Sequence, residues 1–526
     1  MTRTQWLAAL VAVCAIGAAT PASAKTLKWA NDGDVSSLEP YFLNETFLLG
    51  FLGNVYEPLV GRGKKLELEP KLAVSWEQTS PMMWRFHLRH NVKFQDGTPF
   101  TADDVVFSYQ RVTAEGSDLK SKLGTVAEVK KIDDYTVDFV TKTPDPLLPG
   151  ELSQWYIMSK AWCEKNGATH ATTAKQKEEN YATRHANGTG PFVITDREPD
   201  VRTVAVPNPH WWGKPEHDLT EVDFRVIKSD ATRVAALLSG EVDMVYTVPI
   251  QDVDRINHTP HRKVLQGPEM RTIFLGMQQG LSELADSDVK GKNPFKDVRV
   301  RRAFYQAIDE NAIVKKVMRG AATPSGLMVA PSVNGWNKAL NDRYPYDPAA
   351  SKKLLAEAGY PNGFTVGMNC PNDRYVNDEQ ICQAVAAMLA KVGIKVNLLA
   401  ETKSKYFARL QEHKVSFYLL GWTPDTYDSW NPLFSLIGTP DAATGRGRFN
   451  YGNYSSPKVD QLIAQIQSET DQKKRDAEIA EAFKIHKEEF GHIPLHQQAL
   501  AWGIKDNIHL VQLPDNVFNW NWVQVK

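Results

Sequence analysis

Cysteine is scarce, at four residues in 526. Cys14 lies in an N-terminal apolar run, which leaves Cys163, Cys370 and Cys382. That odd number excludes a disulfide-stapled scaffold. Cys370 and Cys382 flank one loop and are open either to pairing or to remaining separate thiols, while Cys163 is expected to be free. An excess of one charge is also missing. The chain has 61 Lys+Arg against 62 Asp+Glu, a formal net charge of −1, so there is no basic face for nucleic acid or an anionic membrane. Beyond the N-terminus no apolar run approaches the ~20 residues that span a bilayer. Catalytic motifs are absent too. There is no G-x-S-x-G elbow and no H-E-x-x-H. Gly61-Arg62-Gly63-Lys64-Lys65 lacks the upstream glycine and the Ser/Thr of a phosphate-binding loop. His486, His492 and His496 do not have the spacing of a structural zinc site, and Pro494 interrupts them. They read as solvated or core histidines, and neither metal nor cofactor is expected.

What is present begins with Met1-Thr2-Arg3, an apolar stretch from Trp6 to about Ala19, and Ala22-Ser23-Ala24. A basic start, a short apolar core and an A-x-A site predict a secretory signal peptide cut after Ala24. Val13 before Cys14 is larger than the small residue a lipoprotein site prefers. The chain is therefore expected to be exported and soluble. Its remaining length corresponds to roughly three structural units at ~150 residues each, and 42% hydrophobic residues suffice for large cores. Trp84–Arg89 alternates as a half-buried strand. Thr101-Ala102-Asp103-Asp104 is a capping box for a helix over 105–112. Asp133-Asp134 reads as a turn before a strand over 135–140. Asp347-Pro348 opens a helix that Gly359 ends, and Ser456-Pro457 starts an amphipathic region running to about Phe490.

Residues 364–421 are the most informative. The pattern predicts strand 364–370, helix 379–392 ended by Gly393, strand 394–400, helix 403–412 and strand 415–420. Alternation of this kind means βαβ units and a parallel sheet, the signature of an α/β fold. Ligands of such sheets sit outside the carboxyl ends of the strands. Two loops leave that edge, 371–377 with Arg374 and 422–428 with Asp425 and Asp428. They are expected to lie close together, one offering a cation and the other carboxylates, an arrangement suited to a zwitterion.

The run from Trp84 to Arg111, WRFHLRHNVKFQDGTPFTADDVVFSYQR, resembles the signature of the family-five extracellular solute-binding proteins, the dipeptide- and oligopeptide-binding components of ABC importers. VYEPL at 55–59, GTGPF at 188–192, PFKDVRVR at 294–301, AGYP at 358–361, GWTPD at 421–425 and NYSSP at 453–457 extend the resemblance over nearly all of the chain after residue 24. It implies a two-lobed periplasmic-binding-protein fold (type II, large peptide-binding class) with an extra subdomain in the first lobe. By that analogy residues 25–70, 186–275 and 498–526 form lobe I, 71–185 its inserted subdomain and 276–497 lobe II. The implied role is to capture a short peptide in the periplasm by hinge closure, near 275–280 and 495–499. The protein would then deliver it to an inner-membrane permease, as a monomer with no chemistry of its own.

The resemblance also implies a site. Asp425, the aspartate after the Gly421-Trp422 pair, is expected to hold the ligand's α-amino group, a charge-assisted contact. Trp422 is expected to line the pocket, with Gly421 and Thr423 beside it. Arg374 is expected to take the α-carboxylate, flanked by Asn372 and Tyr375, with the helix N-terminus at Asn377-Asp378 also favouring an anion. Dipeptide binders have proline after the second aspartate of this loop, whereas Asp428 here is followed by Ser429-Trp430-Asn431. Asp428 reads better as a turn cap than as a ligand contact, and Trp430 is open to covering the pocket or packing in the core. Other solutes stay open on the same frame: an oligosaccharide, an opine or other amino-acid derivative, or a metal complex. A secreted hydrolase using Asp425 and Asp428 is a further alternative, but two acids in one loop have to straddle the scissile bond.

Overall fold

The computed structural model describes residues 25–173, 179–424 and 426–526. The expected signal peptide lies outside the described residues. Around the informative region the α/β reading holds. Strand Thr365–Pro371 pairs in parallel with Lys395–Glu401 on one side and with Phe417–Trp422 on the other, and helices Asp378–Ala390 and Lys403–Gln411 form the crossovers. Gly393 ends the first helix in the left-handed conformation, φ +91°, where a side chain is strained. Cys370 and Cys382 are bridged (Cα–Cα 6.6 Å), tying the end of the first strand to its helix. Cys163 is free and buried.

These strands belong to one 11-stranded sheet. Two long antiparallel strands, Arg262–Met277 and His492–Lys505, run through its middle. The first half of Arg262–Met277 pairs with Ala499–Lys505, which in turn borders Met244–Val245, and its second half also pairs with Phe417–Trp422. The apolar cores divide accordingly. One is built from residues between 27 and 246 together with 502–523, a smaller one lies around Val234–Ile256, and two more are built from residues 273–495. The register between the long strands slips between Pro268 and Thr272, so the ladder is irregular where the chain passes from one half to the other. A separate four-stranded antiparallel sheet, Ala73–Ser80, Met83–Leu88, Thr136–Thr141 and Val126–Asp133, carries the predicted strands of the signature. Helix Ala102–Thr113 follows with its capping box formed at Thr101 and Asp104. The amphipathic region after Ser456 is two helices, Pro457–Ser468 and Gln472–Glu488. Asp471 caps the second through the Lys474 N–H.

The three histidines are core residues. His486 Nε2 and His492 Nδ1 lie 2.9 Å apart, and His496 Nδ1 is 2.7 Å from Glu310 Oε1. Burial lowers His486 well below its ordinary pKa and takes His492 down to about 3.

Candidate ligand-binding cleft

The two edge loops do meet: the Tyr375 hydroxyl donates to the Gly421 carbonyl at 3.4 Å. Each is shaped by its own polar groups. In the first loop, Asn372 is exposed, its N–H donating to the Glu401 carbonyl at 3.0 Å, and it stands outside the cleft. The Arg374 and Tyr375 N–H groups both donate to Asp378 Oδ2 at 3.0 Å, and Glu379 N–H donates to Oδ1 at 2.9 Å. The helix N-terminus expected to attract an anion is thus already served by the carboxyl group of its own first residue. Burial pushes that Asp378 carboxyl up to about 7 against these hydrogen bonds.

In the second loop, Gly421, Trp422 and Thr423 line the cleft. Glycine leaves room at 421: an added Cβ would stand 2.8 Å from both Ile273 Cδ1 and Tyr375 Cε1 and 3.0 Å from Arg271 Cδ, so those side chains would have to shift. Trp422 Nε1 donates to Asn431 Oδ1 (2.7 Å), and its ring lies 4.9 Å from that of Phe449. Thr423 Oγ1 is buried without a hydrogen-bond partner among the described residues. Asp425 lies outside the described residues. Asp428 is a structural group: Arg475 grips it with two 2.7 Å bonds, and it accepts from the Trp430 N–H and Asn334 Nδ2, both at 2.8 Å. A carboxylate so fully engaged is no second acid for a hydrolase. Trp430 packs in the core, its ring stacked 4.6 Å from Phe434 and its Nε1 donating to the Ile463 carbonyl at 3.2 Å.

The opposite wall comes from far away in the chain. Glu45 caps helix Thr46–Leu52 by accepting from the Leu48 N–H at 2.8 Å, and it also faces Arg374, Oε1 to Nη2, at 2.9 Å. This ion pair spans the cleft. Burial by itself raises the Glu45 carboxyl, but Arg374, Lys403 and the Leu48 and Phe47 N–H groups outweigh it and hold the carboxyl below its ordinary value. Burial likewise disfavours the Arg374 charge, and Glu45, ahead of Tyr375 and Glu269, reverses that. A second buried pair stands beside the first, Arg271 Nε donating to Glu269 Oε1 at 2.9 Å. Arg374, expected to await a ligand carboxylate, is partnered here by a carboxylate of the protein.

This polar wall divides the cleft. On one side, about 740 Å³ of space is lined by aromatic residues, Tyr375, Phe407, Trp422, Phe449 and Tyr451 among them. On the other, about 710 Å³ is lined by Asp32, Glu269, Asp373 and Lys403 as well as Tyr246 and Trp502. Glu45, Thr46, Arg271, Arg374 and Tyr375 border both. Around the rim the halves touch again. Arg448 donates to Asp118 Oδ1 (2.9 Å), Arg62 donates to the Thr426 carbonyl (3.1 Å) and lies over the Tyr427 ring, and the Tyr427 hydroxyl donates to Asp515 (2.5 Å). Among the described residues, no cluster of three or more His, Cys, Asp or Glu is placed to hold a metal.

A cleft between two halves of one sheet, walled by aromatic rings and paired charges, is a site for holding a solute. Comparison with known families gives that geometry a lineage: the family model "Bacterial extracellular solute-binding proteins, family 5 Middle" matches residues 67–443. The chain belongs to this family. Family 5 proteins are periplasmic solute-binding components of ABC importers and not enzymes, and this member is such a component. Among its relatives, Heme-binding protein A of Haemophilus influenzae is 29% identical over 450 residues, 80% of this chain and 77% of that protein. Glutathione-binding protein GsiB of Escherichia coli is 27% identical over 515 residues, 95% and 93% of the two chains. Among solved structures, the periplasmic binding protein DppA from Helicobacter pylori, in complex with the peptide STSA, superposes with TM-score 0.84 at 24% identity. The match covers 95% of this chain and 98% of that one. The fold is therefore the two-lobed one the resemblance implied.

Sequence reasoning located the two lobe-edge loops but missed Glu45, Arg271 and the second compartment. One signal was legible: Glu269 and Arg271 are charges inside a strand whose residues from 269 to 277 are all buried, a placement that needs a polar partner. The loop after strand Lys395–Glu401 leaves the same sheet edge as the two loops singled out, and it carries Lys403.

Proposed function

We propose that this family 5 protein captures a short peptide or a peptide-like amino-acid derivative between its lobes and delivers it to an inner-membrane permease as a monomer. The observation that carries the reading is the divided cleft. Aromatic faces on one side suit a peptide's backbone and side chains, and paired charges at the dividing wall suit a ligand that is itself zwitterionic. Closure is proposed to bend the two long strands where their register slips, at Pro268–Thr272 opposite Gln497–Ala499, and to form the Glu45–Arg374 and rim contacts. The lobe assignments 25–70, 186–275 and 498–526 against 276–497, with 71–185 inserted, are kept as part of this proposal. The four-stranded sheet falls in the inserted segment. Asp425 is the proposed amino-group contact for a linear peptide.

The test is a thermal-shift panel on protein stripped of ligand by mild unfolding and refolding. It compares free di- and tripeptides, their N-acetylated and C-amidated forms, glutathione, opines and oligosaccharides. A solute that binds only the folded state raises stability by RT ln(1 + [L]/Kd). Free peptides or glutathione should raise the melting temperature, with a smaller rise for the acetylated forms and for Asp425→Asn. A response to oligosaccharides alone would overturn the peptide reading.

A further inference from the structure

The second compartment contains charge that the fold itself leaves unanswered. The Glu45–Arg374 and Glu269–Arg271 pairs cancel each other in the wall. Beyond them stand Asp32 and Lys403. Among the described residues Asp32 makes no hydrogen bond or ion pair, and the Lys403 ammonium makes none either, lying 5.8 Å from the Phe47 ring centroid. Their common neighbour Asp373 accepts the Lys403 backbone N–H at 2.5 Å. Burial, with Asp32 adding its repulsion, pushes the Asp373 carboxyl up. Two deeper atoms are also unmatched, the Glu269 Oε2 acceptor and the Arg374 Nε donor, both buried atoms of residues bordering the cavity. Among the described residues the cavity thus presents an anion and a cation without hydrogen bond or ion pair, the cation acting on Glu45 and Asp373 only through space, with an unsatisfied acceptor and donor behind them. Each unsatisfied buried group carries a desolvation cost that a matching ligand removes.

We propose that the second compartment is a head-group site for an α-amino-acid zwitterion, its ammonium held by Asp32 and Glu269 Oε2 and its carboxylate by Lys403 and Arg374 Nε. A lone anion or a lone cation would meet one complement and one repulsion there, whereas a zwitterion with both charges on one carbon meets two complements. The inference rests on the amino-acid-derivative part of the proposed solute class. It moves recognition of the charged end from Asp425 and the Glu45-bound face of Arg374 to Asp32 and Lys403. The rest of the solute then crosses the shared wall to lie against Trp422 and Phe449.

Isothermal titration of refolded, ligand-free protein tests it with γ-glutamylalanine and glutathione, whose γ-linked glutamyl residue keeps both charges on one carbon. The controls are γ-glutamylalanine acetylated on its amino group, the same compound amidated at the glutamyl α-carboxylate, and trialanine, whose charges sit at opposite ends. Lys403→Met should weaken the two γ-glutamyl probes about tenfold or more, the loss of one charge-assisted contact, and should leave the affinity of the amide nearly unchanged. Asp32→Asn should show the matching pattern, weakening the same probes and sparing the acetylated form. Lys403→Arg and Asp32→Glu should restore part of the loss. Both side chains are half-exposed, so the unliganded variants are expected to fold, Asp32→Asn melting as the wild type and Lys403→Met slightly lower because it also loses its hold on the Glu45 charge. If the γ-glutamyl probes bind and both variants hold them within about twofold of wild type, the head-group site is overturned while the solute class stands. Binding of trialanine alone has the same consequence. If no probe binds the wild type, the solute class falls, and the head-group site with it.

Discussion

Trp422, Phe407, Phe449 and Tyr451 face one compartment of the cleft, and Asp32, Glu269, Asp373 and Lys403 face the other, across a wall made of two ion pairs. The aromatic side offers area, and area discriminates weakly: one methylene more or less is worth ~1 kcal/mol. The charged side offers fixed donors and acceptors, which reject a solute lacking the matching group far more strongly. On the proposed reading the protein is therefore permissive about the body of its ligand and strict about one end of it.

The largest expected effect comes from the wall itself. Glu45→Gln leaves the Arg374 guanidinium without its anion, and breaking a buried pair from one side costs about 3–5 kcal/mol. Opening the cleft restores solvent to Arg374 at less cost. The ligand-free variant should therefore show a larger radius of gyration by X-ray scattering, and an unchanged radius together with an unchanged melting temperature would remove the pair from any part in closure. Gly421→Ala comes next. Its methyl group would press on Tyr375 and Arg271, which border both compartments, at an overpacking cost of roughly 1–3 kcal/mol. Calorimetry should find weaker binding of free and amidated solutes alike. Trp422→Ala breaks the symmetry between the sides. It should cost about tenfold, or ~1.4 kcal/mol, in affinity for solutes with an apolar body, while the preference for free over amidated ends stays as in the wild type.

A different kind of effect is a pH slope. Asp378, under the Arg374 loop, moves from an ordinary 3.8 to about 7 in the folded chain because of burial. Between those values the folded state holds the proton and the unfolded state releases it. Stability from this group is therefore full below about pH 4 and lost as pH rises towards 7. Asp378→Asn does not titrate. Its melting temperature relative to wild type should climb between about pH 4 and about pH 7, and a flat difference would refute the assignment.

Much of this was legible in the sequence because local patterns carried it. The βαβ alternation of 364–421 predicted the parallel sheet and the edge where the two loops meet, and the capping residues placed helix starts to within about three residues, Ala102 preceding the expected 105. The turn-cap reading of Asp428 matches its place between Arg475 and the Trp430 N–H. What escaped was pairing across distance. Nothing local to Arg374 announces Glu45, which stands more than 300 residues earlier at the head of another helix. Two cysteines flanking a loop leave open whether their Cβ vectors converge. Lys403 was within reach, since the edge rule that singled out two loops applies equally to a third.

The register slip between Pro268 and Thr272, where closure is proposed to turn, contains Glu269 and Arg271. Any rotation of one half against the other twists the very peptide units from which these two charges project. In the proposed closure, pivot and sensor are therefore the same short run of chain. A solute that fixes Glu269 and Arg271 in place also locks the joint, with no separate relay between the place where it is felt and the place where the molecule moves.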